Sequence, residues 1–341
     1  MRRIEWIDIA KGVGIVLVVF GHAVSGEAVR YIYGFHMPLF FFLSGLCCSV
    51  NKYTFREFIH SRFYSLVVPY FFFYLLTYFV WLPMSGRDAV VNDITWWKPL
   101  VWMVYGAPES TFNLFLKSHN QVMWFLPCLF CTQLIFYWVK TLKEIWMQWI
   151  VVLVLLIMGM YIPINLPLGI NNAFVALSYF YIGNLLFTYI DKWNPSQWLQ
   201  LLYVIGFWAL YTIVMYSSQY SMVMYFHDYQ PIGILIVPLL GIAAVCEAAK
   251  WGGQKLFGIF GEFCPITWCG KNSLVIFATH YVILRIWRFI LPKIWHTEDV
   301  TFSQPGHALV LTIVVIVTLI PICWGYNKYV RQQLLPALTK K

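Results

Sequence analysis

Lys11 and His22 stand eleven residues apart in WIDIAKGVGIVLVVFGHA (Trp6 to Ala23), and neither belongs in an apolar stretch long enough to cross a bilayer. An ammonium can hold an anion such as a phosphate. An imidazole, which titrates near neutral pH, can take a proton from a hydroxyl or carry an acyl group itself. On a helix eleven residues turn about 1100°, roughly 20° past three full turns, so the two side chains share one face about 16 Å apart along the axis. Asp8 lies on the same stripe. A lysine at the bilayer centre costs roughly 2.5–3.5 kcal/mol, which makes such a residue a functional candidate. Snorkelling of Lys11 to the inner interface and of His22 to the outer one is the plainer account. It gives no reason for a common azimuth, and the shared face favours function.

Two further segments carry polar residues of the same kind. FHMPLFFFLSG (Phe35 to Gly45) puts His36 near the depth expected for His22, with Ser44 and Gly45 at its other end, where small residues let helices pack closely. GKNSLVIFATHYVILRIWRF, from Gly270, carries Asn272, Ser273, His280, Arg285 and Arg288. Ser273 and His280 are seven residues apart and close to one helical face. Arg288 can snorkel, whereas Arg285 calls for water, a headgroup or an acidic ligand. His22, His36 and His280 together describe a polar pocket in the outer half of a bundle, and Lys11 and Arg62 a cationic region on the cytoplasmic side. That arrangement suits a reaction between an anionic donor from the cytoplasm and a polar acceptor from outside. The competing reading is a transporter or flippase that uses the same His and Arg residues as a proton relay or anion site.

The elements that must position these residues are helices in a membrane. Of 341 residues 61% are hydrophobic, 20% aromatic and 11% charged, against about a quarter charged in a soluble domain. Ten apolar segments recur, near 6–24, 32–50, 64–83, 122–139, 147–163, 172–190, 199–216, 232–249, 271–291 and 307–326, so the fold class is an all-α polytopic bundle. The first is too polar inside, and lacks the small-residue cleavage site, to be a cleaved signal peptide. With ten spans, fifteen Lys and Arg fall on the side of the termini, five on the opposite side and three within spans. This asymmetry places both termini in the cytoplasm and accounts for the net charge of +9 without nucleic acid. Most of the eight cysteines lie in or beside apolar spans as small hydrophobes, and no metal site is expected. Residues 83–121 form a long extracytoplasmic connection whose WWKPLVWMVYG run is expected to lie in the interface or fold back over the bundle. The glycine-rich stretch 250–271 reads as a short interfacial hairpin, since it lacks the phosphate-loop pattern.

The sequence resembles the acyltransferase family 3 membrane proteins, which O-acetylate sugars and cell-envelope polymers. Lys11 and His22, with ten residues between them, match the family's R/K-X10-H motif in the first helix. Phe35 to Gly45 looks like its second-helix signature in the fucose acetylase-like and enterobacterial-common-antigen acetyltransferase-like branch. Trp124-Phe125-Leu126 looks like the start of its fourth helix, and Tyr181-Ile182-Gly183 and Gly270-Lys271-Asn272-Ser273-Leu274, followed by His280, resemble later landmarks. Of the family's Arg-x-x-Arg pair before the third helix this chain keeps only Arg62, followed by Phe63-Tyr64-Ser65. The resemblance implies one membrane acyltransferase domain over residues 1–341, in a bacterial cytoplasmic membrane. It implies acetyl-CoA as donor substrate with no permanently bound cofactor, and a sugar, glycan or lipid-linked saccharide as acceptor. Membrane lipids are then partners, and a homo-oligomer is compatible with it. Within that expectation, the chemistry of the residues gives catalysis to His22 and Lys11 and donor binding to Lys11 and Arg62. His36, His280, Trp124, Asn272 and Arg285 would bind or orient the acceptor.

Overall fold

The computed structural model describes residues 4–108, 117–164, 166–193, 195–217, 231–260, 264–294 and 304–333. Among them the secondary structure is helical throughout, with no strand. Eight helical stretches are long and apolar enough to cross a membrane. A ninth, α9 (Ile145–Tyr161), has 17 residues, at the lower limit for a span.

The second apolar segment is not one helix. It divides into α2 (Glu27–Tyr33) and α3 (His36–Leu46). Pro38 is the cause, because it has no N–H to donate to Gly34 four residues earlier and its ring collides with that carbonyl. The chain breaks at Gly34 and Phe35, and α3, about 16 Å long, falls well short of a bilayer. In the stretch 250–271, read as a short hairpin, residues 261–263 lie outside the described residues. Helix α12 (Pro231–Phe260) runs on through Gly252 and Gly253, and α13 (Pro265–Lys271) follows. Gly253 is tolerated there because a Cβ would press on Ile9.

By its internal contacts the chain forms two compact units. The first comprises Met1–Cys48, Tyr179–Phe277 and Pro292–Val314. Its centre is α1 (Glu5–Ala23), which packs on α12, α13 and α3. The crossing of α1 with α13 is backbone to backbone: a Cβ on Gly12 would fall on the carbonyl oxygen of Ile266, and one on Gly270 on that of Asp8. Gly270→Ala is therefore expected to cost about 1–3 kcal/mol, the usual cost of overpacking. A lowered midpoint in thermal unfolding of the detergent-solubilised protein checks this, and an unchanged midpoint would mean the helices can part. Asn184 of α10 (Ile170–Lys192) donates to the carbonyls of Gly45 (3.1 Å) and Cys48 (2.8 Å), satisfying the C-terminal end of α3. Helix α11 (Gln197–Ser217) holds α2 through Tyr31–Thr212 (2.8 Å), Arg30 to the Met215 carbonyl (3.2 Å), and Tyr211 to the Tyr31 carbonyl.

The second unit comprises Ser49–Ser178, Ala278–Leu291 and Val315–Lys341. In it α4 (Phe55–Arg62) passes through a π turn, Phe63–Val67, into α5 (Val68–Trp81). Pro69, which cannot bond to the Ser65 carbonyl, explains the widened turn. The long connection after α5 contains α6 (Ser85–Val91) and α7 (Lys98–Tyr105), and its residues 109–116 lie outside the described residues. It does fold back. Tyrosines at every fourth position of α5 stand on one face and donate to successive carbonyls of the connection: Tyr70 to Met103 (2.7 Å), Tyr74 to Pro99 (2.8 Å) and Tyr78 to Trp96 (3.0 Å). Lys98 bonds Asp93 (2.7 Å), whose carboxyl it holds below the usual carboxylate range. Helix α8 (Phe125–Val139) follows a 3₁₀ turn, Gln121–Trp124.

Candidate functional site

In the first unit α1 is unbroken from Glu5 to Ala23, so the three-turn step from Lys11 to His22 holds and both side chains keep one azimuth. Each is half-buried, while Asp8 is buried. Among the described residues no ion pair engages the Lys11 ammonium. The imidazole of His22 sits with Nδ1 2.8 Å from the Val18 carbonyl oxygen. A carbonyl only accepts, so Nδ1 is the protonated nitrogen and Nε2 is the basic nitrogen of the neutral ring. His36, fully buried at the start of α3, repeats the device, with Nδ1 3.1 Å from the Ile32 carbonyl.

The break at Gly34 brings these two histidines together. The ring of Tyr33 lies between them, 5.8 Å from His22 and 4.7 Å from His36, centroid to centroid. Lys11 is three turns away along α1. Asn272 is a helix terminator: its Nδ2 donates to the Trp268 carbonyl (2.9 Å), closing α13 before α14 (Ser273–Ile294) begins. The same carbonyl also accepts from its backbone N–H (3.1 Å).

The second unit holds the other four expected residues. Arg62 ends α4 with its guanidinium 4.8 Å over the Phe58 ring, and its buried Nε has no hydrogen-bond partner among the described residues. Trp124 is fully buried at the end of the 3₁₀ turn, and His280 is fully buried in α14. Arg285, one and a half turns beyond His280, donates through Nη2 to both carboxylate oxygens of Asp88, which also accepts from Trp81 Nε1. Arg62 lies before the first residue of α5, whereas the Asp88 that Arg285 binds also accepts from Trp81, the last residue of that helix, which is about 20 Å long.

Several residues that sequence reasoning passed over stand in these places. Tyr33 is one. Asp88, His119 and Asn120 are others, all in the long connection and all buried. His119 is 3.0 Å from Thr77 Oγ1 and packs edge-on against Tyr74 (4.6 Å). Burial and the charge of Arg285 hold its pKa down to about 3, so the ring is neutral. The four-residue spacing of Tyr70, Tyr74 and Tyr78 was the available signal that the connection docks on α5 and carries its polar residues inward.

Chemically, the first unit offers a cation and a histidine base on one face, and the second a set of buried neutral hydrogen-bonding groups beside a neutralised arginine. Neither a curated protein nor a solved structure matches the chain. A family model described as an acyltransferase domain matches residues 4–326, nearly the whole length, and the chain, a multi-pass helical membrane protein, therefore belongs to acyltransferase family 3.

Proposed function

We propose that the chain is an acetyl-CoA-dependent O-acetyltransferase of a bacterial cytoplasmic membrane, with both termini in the cytoplasm, acting on a hydroxyl of a cell-envelope sugar, glycan or lipid-linked saccharide. Within the family the FHMPLFFFLSG segment favours the branch of fucose and enterobacterial-common-antigen acetylases. The observation that carries the reading is the single unbroken helix α1, with Lys11 and His22 on one face and the His22 ring held by Val18 with Nε2 as its basic nitrogen.

In this reading Lys11 binds the donor's phosphates. His22 Nε2 takes the proton of the acceptor hydroxyl as its oxygen attacks the thioester carbon. The C–O bond forms, the C–S bond breaks, and the leaving thiolate recovers the proton as free CoA thiol. Tyr33 and His36 position the His22 ring. Trp124, His280 and Arg285 act through the shape of the acceptor's surroundings, Arg285 by way of Asp88.

The test uses the purified protein in lipid nanodiscs, with release of CoA thiol and transfer of labelled acetyl followed in parallel. A charge-assisted contact is worth about 1.5–3 kcal/mol, so Lys11→Ala is expected to raise the KM for acetyl-CoA about 10- to 100-fold. Succinyl-CoA is expected to be the poorer donor. Substrate flux across the bilayer without consumption of acetyl-CoA would replace this reading with a transporter.

A further inference from the structure

The four residues before the 3₁₀ turn, Lys117 to Asn120, include three fully buried polar side chains. An unmet buried polar group costs about 1–3 kcal/mol, and most of theirs are met. Ser118 Oγ lies 3.0 Å from the Tyr74 hydroxyl and accepts from the Asn120 backbone N–H at 3.0 Å. Thr77 Oγ1 gives its proton to the Phe73 or the Tyr74 carbonyl (2.8 and 3.1 Å), so towards His119 Nε2 it accepts. That makes Nε2 the protonated nitrogen and leaves Nδ1 as an acceptor. Asn120 Nδ2 donates to the Ala278 carbonyl (2.8 Å) and to Thr77 (3.3 Å), leaving Oδ1 as a second acceptor. Neither His119 Nδ1 nor Asn120 Oδ1 has a partner among the described residues.

We propose that His119 Nδ1 and Asn120 Oδ1 form a subsite for an O–H donor and that it takes a hydroxyl of the sugar acceptor. The proposal rests on the O-acetyltransferase reading for the identity of that hydroxyl. Two neutral acceptors repel a carboxylate or phosphate and accept from an uncharged donor such as a hydroxyl, whose proton stays on its oxygen, so the subsite holds without transferring anything. Solvent water has the same chemistry, and the experiment separates the two sources.

Density maps of the full chain in nanodiscs, with and without millimolar N-acetylglucosamine as probe, are expected to show an oxygen bonded to His119 Nδ1 that the sugar replaces with one of its own. No oxygen in either map overturns the proposal, and so does a water that the sugar leaves in place. In nanodiscs carrying labelled acetyl-CoA and the sugar, His119→Phe is expected to lower the ratio of acetyl transfer to thioester hydrolysis at least tenfold. His119→Asn, which keeps an amide group near the position of Nδ1, is expected to restore at least half of it. A merely structural residue would lower transfer and hydrolysis alike, and that result overturns the proposal. If the sugar displaces the oxygen but the wild type transfers no acetyl group, the subsite stands and the O-acetyltransferase reading falls.

Discussion

His22→Ala is expected to reduce acetyl transfer by about two to four orders of magnitude, the range that a positioned general base contributes. The loss is expected in kcat, because the imidazole acts on the attacking hydroxyl rather than on the donor's phosphates, which Lys11 would hold. Stability is expected to change little. The ring is half-buried, its Nδ1 bond is to a carbonyl of its own helix, and Tyr33 keeps its contact with His36. His22→Asn sharpens the test, since its amide can still donate to the Val18 carbonyl while offering no basic nitrogen. Both variants should therefore be equally inactive. Retention of more than about a tenth of wild-type kcat by His22→Asn would remove His22 from the chemistry and leave it a spacer between α1 and Tyr33.

What could be read from the sequence was what a single helix determines. The common face of Lys11 and His22 follows from an eleven-residue step in one unbroken helix, and α1 provides it. The helical class follows in the same way, from runs of apolar residues that satisfy their own backbone hydrogen bonds. Contacts that depend on where the chain turns were less accessible. His22 and His36 meet around Tyr33 because Pro38 breaks the second segment at Gly34, a feature that a smoothed hydropathy profile passes over. Arg285 was legible as an arginine calling for water, a headgroup or an acidic ligand, but the acid that meets it, Asp88, lies 197 residues away in what read as an extracytoplasmic connection. No local period links them. His119 was hidden for the same reason, because a loop residue carries no periodicity to mark it as buried.

Arg285→Ala is expected to destabilise the protein by about 3–5 kcal/mol, because it leaves the buried Asp88 carboxylate without its ion-pair partner. The Asp88 side chain is 6% exposed and that of Arg285 20%, so screening by solvent is slight at the acid and partial at the base. Asp88 is also a hub for the connection it belongs to. Its carboxylate accepts from Trp81 Nε1 and from Asn92 Nδ2 (3.2 Å), and its carbonyl from the backbone N–H groups of Asn92 (2.9 Å) and Ile94 (3.1 Å). Losing the arginine should loosen α6 and the turn after it before it unfolds α14. Chemical denaturation in a membrane mimetic and hydrogen exchange at residues 85–94 measure the two effects. Removing both charges tells pairing from packing. Arg285→Met with Asp88→Leu should recover most of the stability, since a buried ion pair is often no better than apolar side chains of similar volume. That double variant also separates the clamp from chemistry at the acceptor. If it is stable yet impaired in acetyl transfer, Arg285 positions the His119 subsite through its charge. If the single variant Arg285→Ala is as stable as the wild type, Asp88 is not held in the folded protein by the arginine, and the clamp is not what fixes the connection.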